Sequence, residues 1–199
     1  MLERIPPREW KDLLIAWFAI ALAFTLIFLR NRLDLTGFFL FFAISLFTVG
    51  IGFVLHEMAH KFTAMKFGFW AEFRKDPQML LMAVILAALV GVVFAAPGAT
   101  MIYGSYISRE QNAKISLAGP LTNLALCIPF ALLLLVAGGS GILHLVGMVG
   151  LQVNAMIAFF NMLPVSVLDG KKVLAWSLPI FLLVFVTTLG ILAASLTLV

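Results

Sequence analysis

Two histidines, His56 and His60, bracket Glu57 in the run His-Glu-Met-Ala-His. On a helix, side chains at i and i+4 share one face, a turn apart, so both imidazoles can grip one Zn²⁺. The glutamate between them can then take the proton of an attacking water. Runs of this kind also arise by chance in soluble proteins. The setting here is different, because residues 35–55, directly before the run, carry no charge. An ionisable side chain at mid-bilayer costs about 2.5–3.5 kcal/mol on insertion scales, and so marks function by default. The alternative is a site at the interface that merely solvates the helix end.

Catalytic zinc takes three protein ligands and keeps one position open. The single cysteine, Cys127, lies in an apolar run, which leaves no intrachain disulfide and no cysteine-based site. His144 and the carboxylates remain. His144 stands at the far end of the apolar segment 142–163, where an interfacial or packed histidine is the expectation. Asp169 is the better candidate. It follows Asn161-Met-Leu-Pro164-Val-Ser-Val-Leu, and Pro164 should break the helix there. Irregular backbone at membrane depth is tolerated only where it is buried in protein or lines a wet cavity. Asp169 would complete a His₂Asp site.

The elements that position these residues belong to a membrane protein. Of 199 residues, 63% are hydrophobic and 11% charged, with a mean hydropathy of +1.14. Soluble domains are about 25% charged. A soluble enzyme, a nucleic-acid binder and a disordered tail are thereby excluded. Apolar segments cover 13–29, 35–55, 79–96, 115–137, 142–163 and 178–199. The second should continue as helix through the histidines to about Phe67, with Gly68 as its stop. Arg4, Arg8 and Lys11 precede the first segment as in a signal peptide. That segment ends in Arg30-Asn31-Arg32 with no small-residue cleavage site, so it reads as a retained span. Residues 97–108 are β-branched, aromatic and punctuated by glycine, which predicts a short strand or hairpin. The expected architecture is an all-α polytopic membrane protein of about five to six transmembrane helices with a short strand-rich re-entrant segment. It forms a single transmembrane domain over 1–199, with no extra soluble domain.

The charges choose between five and six spans. One zinc requires the end of the second span and the end of 142–163 to lie on the same side. Six crossings separate them. If 79–96 enters and returns, they meet. With six crossings the 13 lysines and arginines split 7 to 6, and with 79–96 re-entrant they split 11 to 2. Only the second count satisfies the positive-inside rule. It predicts five crossings, with the N-terminus and the zinc toward the cytoplasm.

Three motifs together resemble the site-2 protease family of intramembrane zinc metalloproteases. They are His56-Glu57-x-x-His60 with Ala64 and Gly68 following, then Ala118-Gly119-Pro120-Leu121-Thr122-Asn123, then Asn161-x-x-Pro164-x-x-x-Leu168-Asp169-Gly170. They occur in the family's order within residues 50–173. The apolar stretch 79–96 departs from the family pattern, which has only a short strand-rich connection there. The resemblance implies hydrolysis of a peptide bond within or next to a transmembrane helix of a membrane-protein substrate. It implies one Zn²⁺ held by His56, His60 and Asp169, with Glu57 as general base. It places Asn161 near the zinc as a substrate or oxyanion contact. Asn123 is either a substrate contact or an interhelical hydrogen bond.

A helical peptide bond is shielded by its own hydrogen bonds, so the substrate must unwind. A strand edge at Ile102 and Tyr103 could pair with the unwound chain, or the segment simply packs against the helices. Gly50 and Gly52 could leave room for water or serve helix packing. The competing function is a metal-ion carrier with an intramembrane His/Asp site, which gives Glu57 no reason to sit between the histidines. The partners expected are the substrate's transmembrane segment and the lipid bilayer, with no nucleic acid. Compactness points to a prokaryotic cell membrane.

Overall fold

A computed structural model describes residues 5–30, 34–91, 98–104 and 106–197. Among these residues, five helices are long and apolar enough to span a bilayer: α1 (Pro7–Phe28), a continuous helix Leu35–Lys66, α5 (Arg109–Val136), α6 (Gly141–Asn161) and α8 (Leu178–Leu196).

The second span carries the histidines. It consists of α2 (Leu35–Ser45), a π-helical turn (Leu46–Gly50) and α3 (Ile51–Lys66). Asp34 caps its start by accepting from the Gly37 N–H at 2.6 Å. At the π turn the Leu46 carbonyl accepts from the Trp17 indole at 2.9 Å, which ties this wide turn to α1. The helix ends as expected. Gly68 adopts φ +84°, and the Phe69 N–H returns to the Ala64 carbonyl at 3.1 Å.

Beyond Gly68 lies an element the sequence did not announce. β1 (Trp70–Lys75) pairs antiparallel with β2 (Gly98–Tyr103), Trp70 facing Tyr103 and Lys75 facing Gly98. Three of the six β1 residues are charged, and their partners lie far along the chain. Within residues 97–108 the strand is shorter than that segment, at Gly98–Tyr103, and Pro97 lies outside the described residues.

Between the strands runs α4 (Pro77–Leu89), of 13 residues. At 1.5 Å per residue it spans about 20 Å, short of the roughly 30 Å hydrocarbon core. It packs along α1. The Arg30 guanidinium beyond the end of α1 donates to the Val90 and Leu89 carbonyls, which closes the helix terminus. Because Lys75 and Gly98 are cross-strand partners, the excursion from 76 to 97 leaves and returns at one place. This is the geometry the five-span count requires. Residues 92–96 of the expected apolar stretch lie outside the described residues.

α5 is central and packs against α3, α6 and the short helix α7 (Asp169–Trp176). It carries Pro120 and Pro129 without a break. One apolar cluster joins α1, α3 and α6 through Leu13, Phe24, Phe53, Val149 and Val153. A second joins α5, α7 and α8 through Leu117, Val173 and Phe181.

A buried ion pair fastens α1, α3 and the sheet. Lys61, next to His60, bonds the Glu9 carboxylate, and both side chains are wholly buried. The other Glu9 oxygen accepts from the Phe73 N–H of β1 at 2.9 Å. Asp12 holds Lys75 at 2.6 Å.

Candidate metal centre and active site

α3 presents His56, Glu57 and His60, all buried. Asp169, also buried, opens α7. Its Oδ2 lies 3.5 Å from His56 Nε2 and 3.2 Å from His60 Nε2. One ligand atom from each of these three residues lies within 4.8 Å of the others.

The other face of each imidazole is committed. His56 Nδ1 bonds Asn123 Oδ1 at 2.5 Å, and His60 Nδ1 bonds the Ile115 carbonyl at 2.7 Å. A carbonyl oxygen only accepts, so each Nδ1 carries the proton and each Nε2 offers a bare lone pair. The Asn123 orientation is itself fixed. Its amide nitrogen donates to the Gly52 carbonyl at 3.2 Å and to Asn154 Oδ1 at 2.9 Å. Asn154 in turn donates to the Gly150 carbonyl at 2.8 Å. The chain from α6 through α5 to α3 thus sets the ring plane of His56.

Gly119 keeps space in front of the lone pairs. A Cβ there would lie 2.5 Å from both His56 Nε2 and His60 Nε2. Two imidazole nitrogens, one carboxylate and a cleared volume form the donor set of a catalytic zinc. The residues present therefore fit the metal.

α6 stops at Asn161, three residues before Pro164, and Ser166 adopts φ +52° in the irregular link to α7. Gly170 lets α7 start directly against the end of α6. A Cβ there would come within 2.0 Å of the Met162 carbonyl oxygen. Close approach at Gly170 is what delivers Asp169 to the histidines.

Glu57 is held by β2. Its Oε2 accepts from the Thr100 N–H at 3.0 Å and from the Thr100 hydroxyl at 2.9 Å. The Thr100 N–H leaves the ladder for Glu57, and the Phe73 N–H opposite it leaves for Glu9. These residues form a non-hydrogen-bonded pair of the antiparallel ladder, as do Ile102 and Ala71 two residues on. The Ile102 N–H and C=O therefore face the open edge of β2, and among the described residues no third strand covers it. The Tyr103 N–H points at Trp70.

Other candidate positions resolve differently. Asn123 is fully buried and makes interhelical hydrogen bonds to His56, the Gly52 carbonyl and Asn154. The Asn161 amide nitrogen donates to the Ile157 carbonyl on its own helix at 3.0 Å. Gly50 and Gly52 stand at close-packed contacts. A Cβ would meet the Trp17 ring at 1.9 Å and Asn154 Oδ1 at 2.4 Å, respectively. His144 stays away from the site, beside Ala131, Leu134, Leu135 and Leu151 at an open apolar cleft. Sequence reading missed Thr100 and Asn154. Only the intramembrane position of Asn154, a polar residue in an apolar run, hinted at a role.

Residues 44–146 match peptidase family M50. A Methanocaldococcus jannaschii protein, MJ0611, is 41% identical over 187 residues, covering 94% of each chain. The chain belongs to peptidase family M50. YwhC of Bacillus subtilis is 28% identical over 190 residues, covering 76% of this M50 chain and 86% of its own. Rip2 of Mycolicibacterium smegmatis is 34% identical over 134 residues, covering 58% of this chain and 50% of its own. All three relatives are named as candidate zinc metalloproteases. No solved structure matches the chain. This M50 protein is a zinc metalloendopeptidase of the site-2 protease type, and its apolar helices make it an integral membrane protein. The family match ends before Asp169, whose candidacy as a third ligand rests on the geometry above.

Proposed function

We propose that this M50 protease cuts a peptide bond within or next to a transmembrane helix of a membrane-protein substrate, as a step of regulated intramembrane proteolysis. The observation that carries the reading is the place of the His56–His60–Asp169 cluster. It is buried toward one end of a 32-residue apolar helix, beside a strand edge that no third strand pairs among the described residues.

His56, His60 and Asp169 hold the zinc. When bound, it lowers the pKa of water toward neutrality and polarises the scissile carbonyl. Glu57 accepts a proton as water oxygen bonds to that carbon, then passes it to the leaving nitrogen as the C–N bond breaks. Asn161 closes α6 at the head of the link that brings Asp169. It is the remaining side-chain candidate for contact with the oxyanion or substrate, once its amide leaves the Ile157 carbonyl. The substrate unwinds and lies along β2 at Ile102 and Tyr103, recovering backbone hydrogen bonds at Ile102, whose N–H and C=O face the open edge. The 11-to-2 division of lysine and arginine supports a cytoplasmic N-terminus and a zinc site toward the cytoplasm, and the compactness of the chain supports a prokaryotic cell membrane.

The test uses purified protease reconstituted in lipid vesicles with a single-pass membrane protein carrying its flanking soluble segments. The expected result is a cut inside or at the edge of the transmembrane helix, with the soluble flanks intact. Cuts confined to the flanks, at equal rates on the excised soluble peptides, would overturn the reading.

A further inference from the structure

Thr100 does two jobs at one point of the fold. Its N–H belongs to the row of outward-facing groups on the open edge of β2, and that N–H is already taken by Glu57 Oε2 at 3.0 Å. Its hydroxyl lies 2.9 Å from the same oxygen and 3.0 Å from the Glu57 main-chain carbonyl. Among the described residues no donor reaches Glu57 Oε1. One carboxylate oxygen is therefore pinned by the Thr100 N–H and by a hydroxyl whose single proton it shares with the Glu57 carbonyl, and the other is left for a proton. The strand that pins it cannot drift, because Phe73, directly opposite Thr100, is anchored to Glu9, which also bonds Lys61 beside His60. The path from the ligand helix to the strand and back to the base closes on itself.

We propose that Thr100 is a positioning residue for Glu57. It fixes Oε2 to the β2 edge, so that Oε1 is the proton acceptor and the base is registered to the strand that receives substrate. The proposal rests on the intramembrane protease reading above. It has a consequence for docking. With the Thr100 N–H occupied, a substrate strand finds free edge groups at the Thr100 carbonyl and at Ile102, and pairing stops where the base begins. A substrate segment held at Ile102 thus runs on past Glu57 as it leaves the edge, with its next peptide unit free of the ladder. The hydrogen bonds at Ile102 set affinity and those at Thr100 set the rate of the chemical step.

Steady-state cleavage of the reconstituted single-pass substrate separates the two, with zinc per protein measured on each preparation. Thr100→Val keeps strand propensity and the N–H but removes the hydroxyl. It should lower kcat by about 10–100-fold, the worth of one hydrogen bond to a charged group, with KM and zinc content unchanged. Thr100→Ser should recover most of that loss. Ile102→Pro removes an edge donor that does not serve β1, so the sheet survives, and it should raise KM with little change in kcat. Wild-type kcat in Thr100→Val, no recovery in Thr100→Ser, or a loss in Thr100→Val expressed in KM as for Ile102→Pro would each overturn the assignment. If wild type itself leaves the membrane substrate intact, the parent reading falls and this inference with it. Normal wild-type cleavage with an indifferent Thr100→Val removes this inference alone.

Discussion

Gly119→Ala is expected to empty the metal site of a protein that still folds. The added methyl would sit 2.5 Å from both imidazole Nε2 atoms, where zinc needs about 2.0–2.1 Å to each nitrogen. The methyl and the ion cannot share that volume. Neither ring can swing clear cheaply, because His56 is held by Asn123 and His60 by the Ile115 carbonyl. Helix α5 itself has no objection, since alanine is the better helix former by about 1 kcal/mol. Zinc per purified protein should fall from about one to near zero, and cleavage with it, while thermal unfolding of the metal-free protein stays close to that of metal-free wild type. A full complement of zinc in Gly119→Ala would show that the ion sits elsewhere.

Glu9→Ala is expected to produce the largest loss of stability. Lys61 would be left wholly buried with its carboxylate partner gone, and the Phe73 N–H would lose its acceptor. Breaking one partner of a buried pair costs about 3–5 kcal/mol, because the remaining charge is uncompensated. Replacing both, as Glu9→Leu with Lys61→Met, should restore much of the stability, since no charge is then stranded. Denaturant titration in detergent reads both. A Glu9→Ala protein as stable as wild type would mean that the pair does not fasten α1 to α3 and β1.

The sequence already held much of this arrangement, and the reasons for its gaps are physical. A 3.6-residue repeat is local, so His56 and His60 on one face and the Gly68 stop could be read directly, and apolar run length showed six candidate segments. The expectation that 79–96 returns followed from a charge count, because lysine and arginine report topology independently of structure. Asp169 emerged as a carboxylate where membrane composition makes one costly. β1 was hidden because half its residues are charged and its partner strand lies beyond α4. Lys61 read as one more loop cation, since nothing local reveals that Glu9 meets it 52 residues away. Thr100 was an ordinary strand residue until the ladder's parity turned its N–H toward Glu57. Asn123 was open to two readings, and its interhelical bonds to His56 and Asn154 depend on residues 67 and 31 positions away, which no local pattern reveals.

The central claim is that one zinc, held by His56, His60 and Asp169, works with Glu57 as base on a membrane-embedded peptide bond. Zinc content and cleavage of the single-pass substrate, measured on the same preparations of wild type, Glu57→Gln and Asp169→Ala, test it most directly. The account predicts about one zinc in wild type and Glu57→Gln and much less in Asp169→Ala. Cleavage should fall by about 10²–10⁴-fold in Glu57→Gln despite its metal, and be absent in Asp169→Ala. Undiminished cleavage by Glu57→Gln, or full zinc and activity in Asp169→Ala, would contradict it.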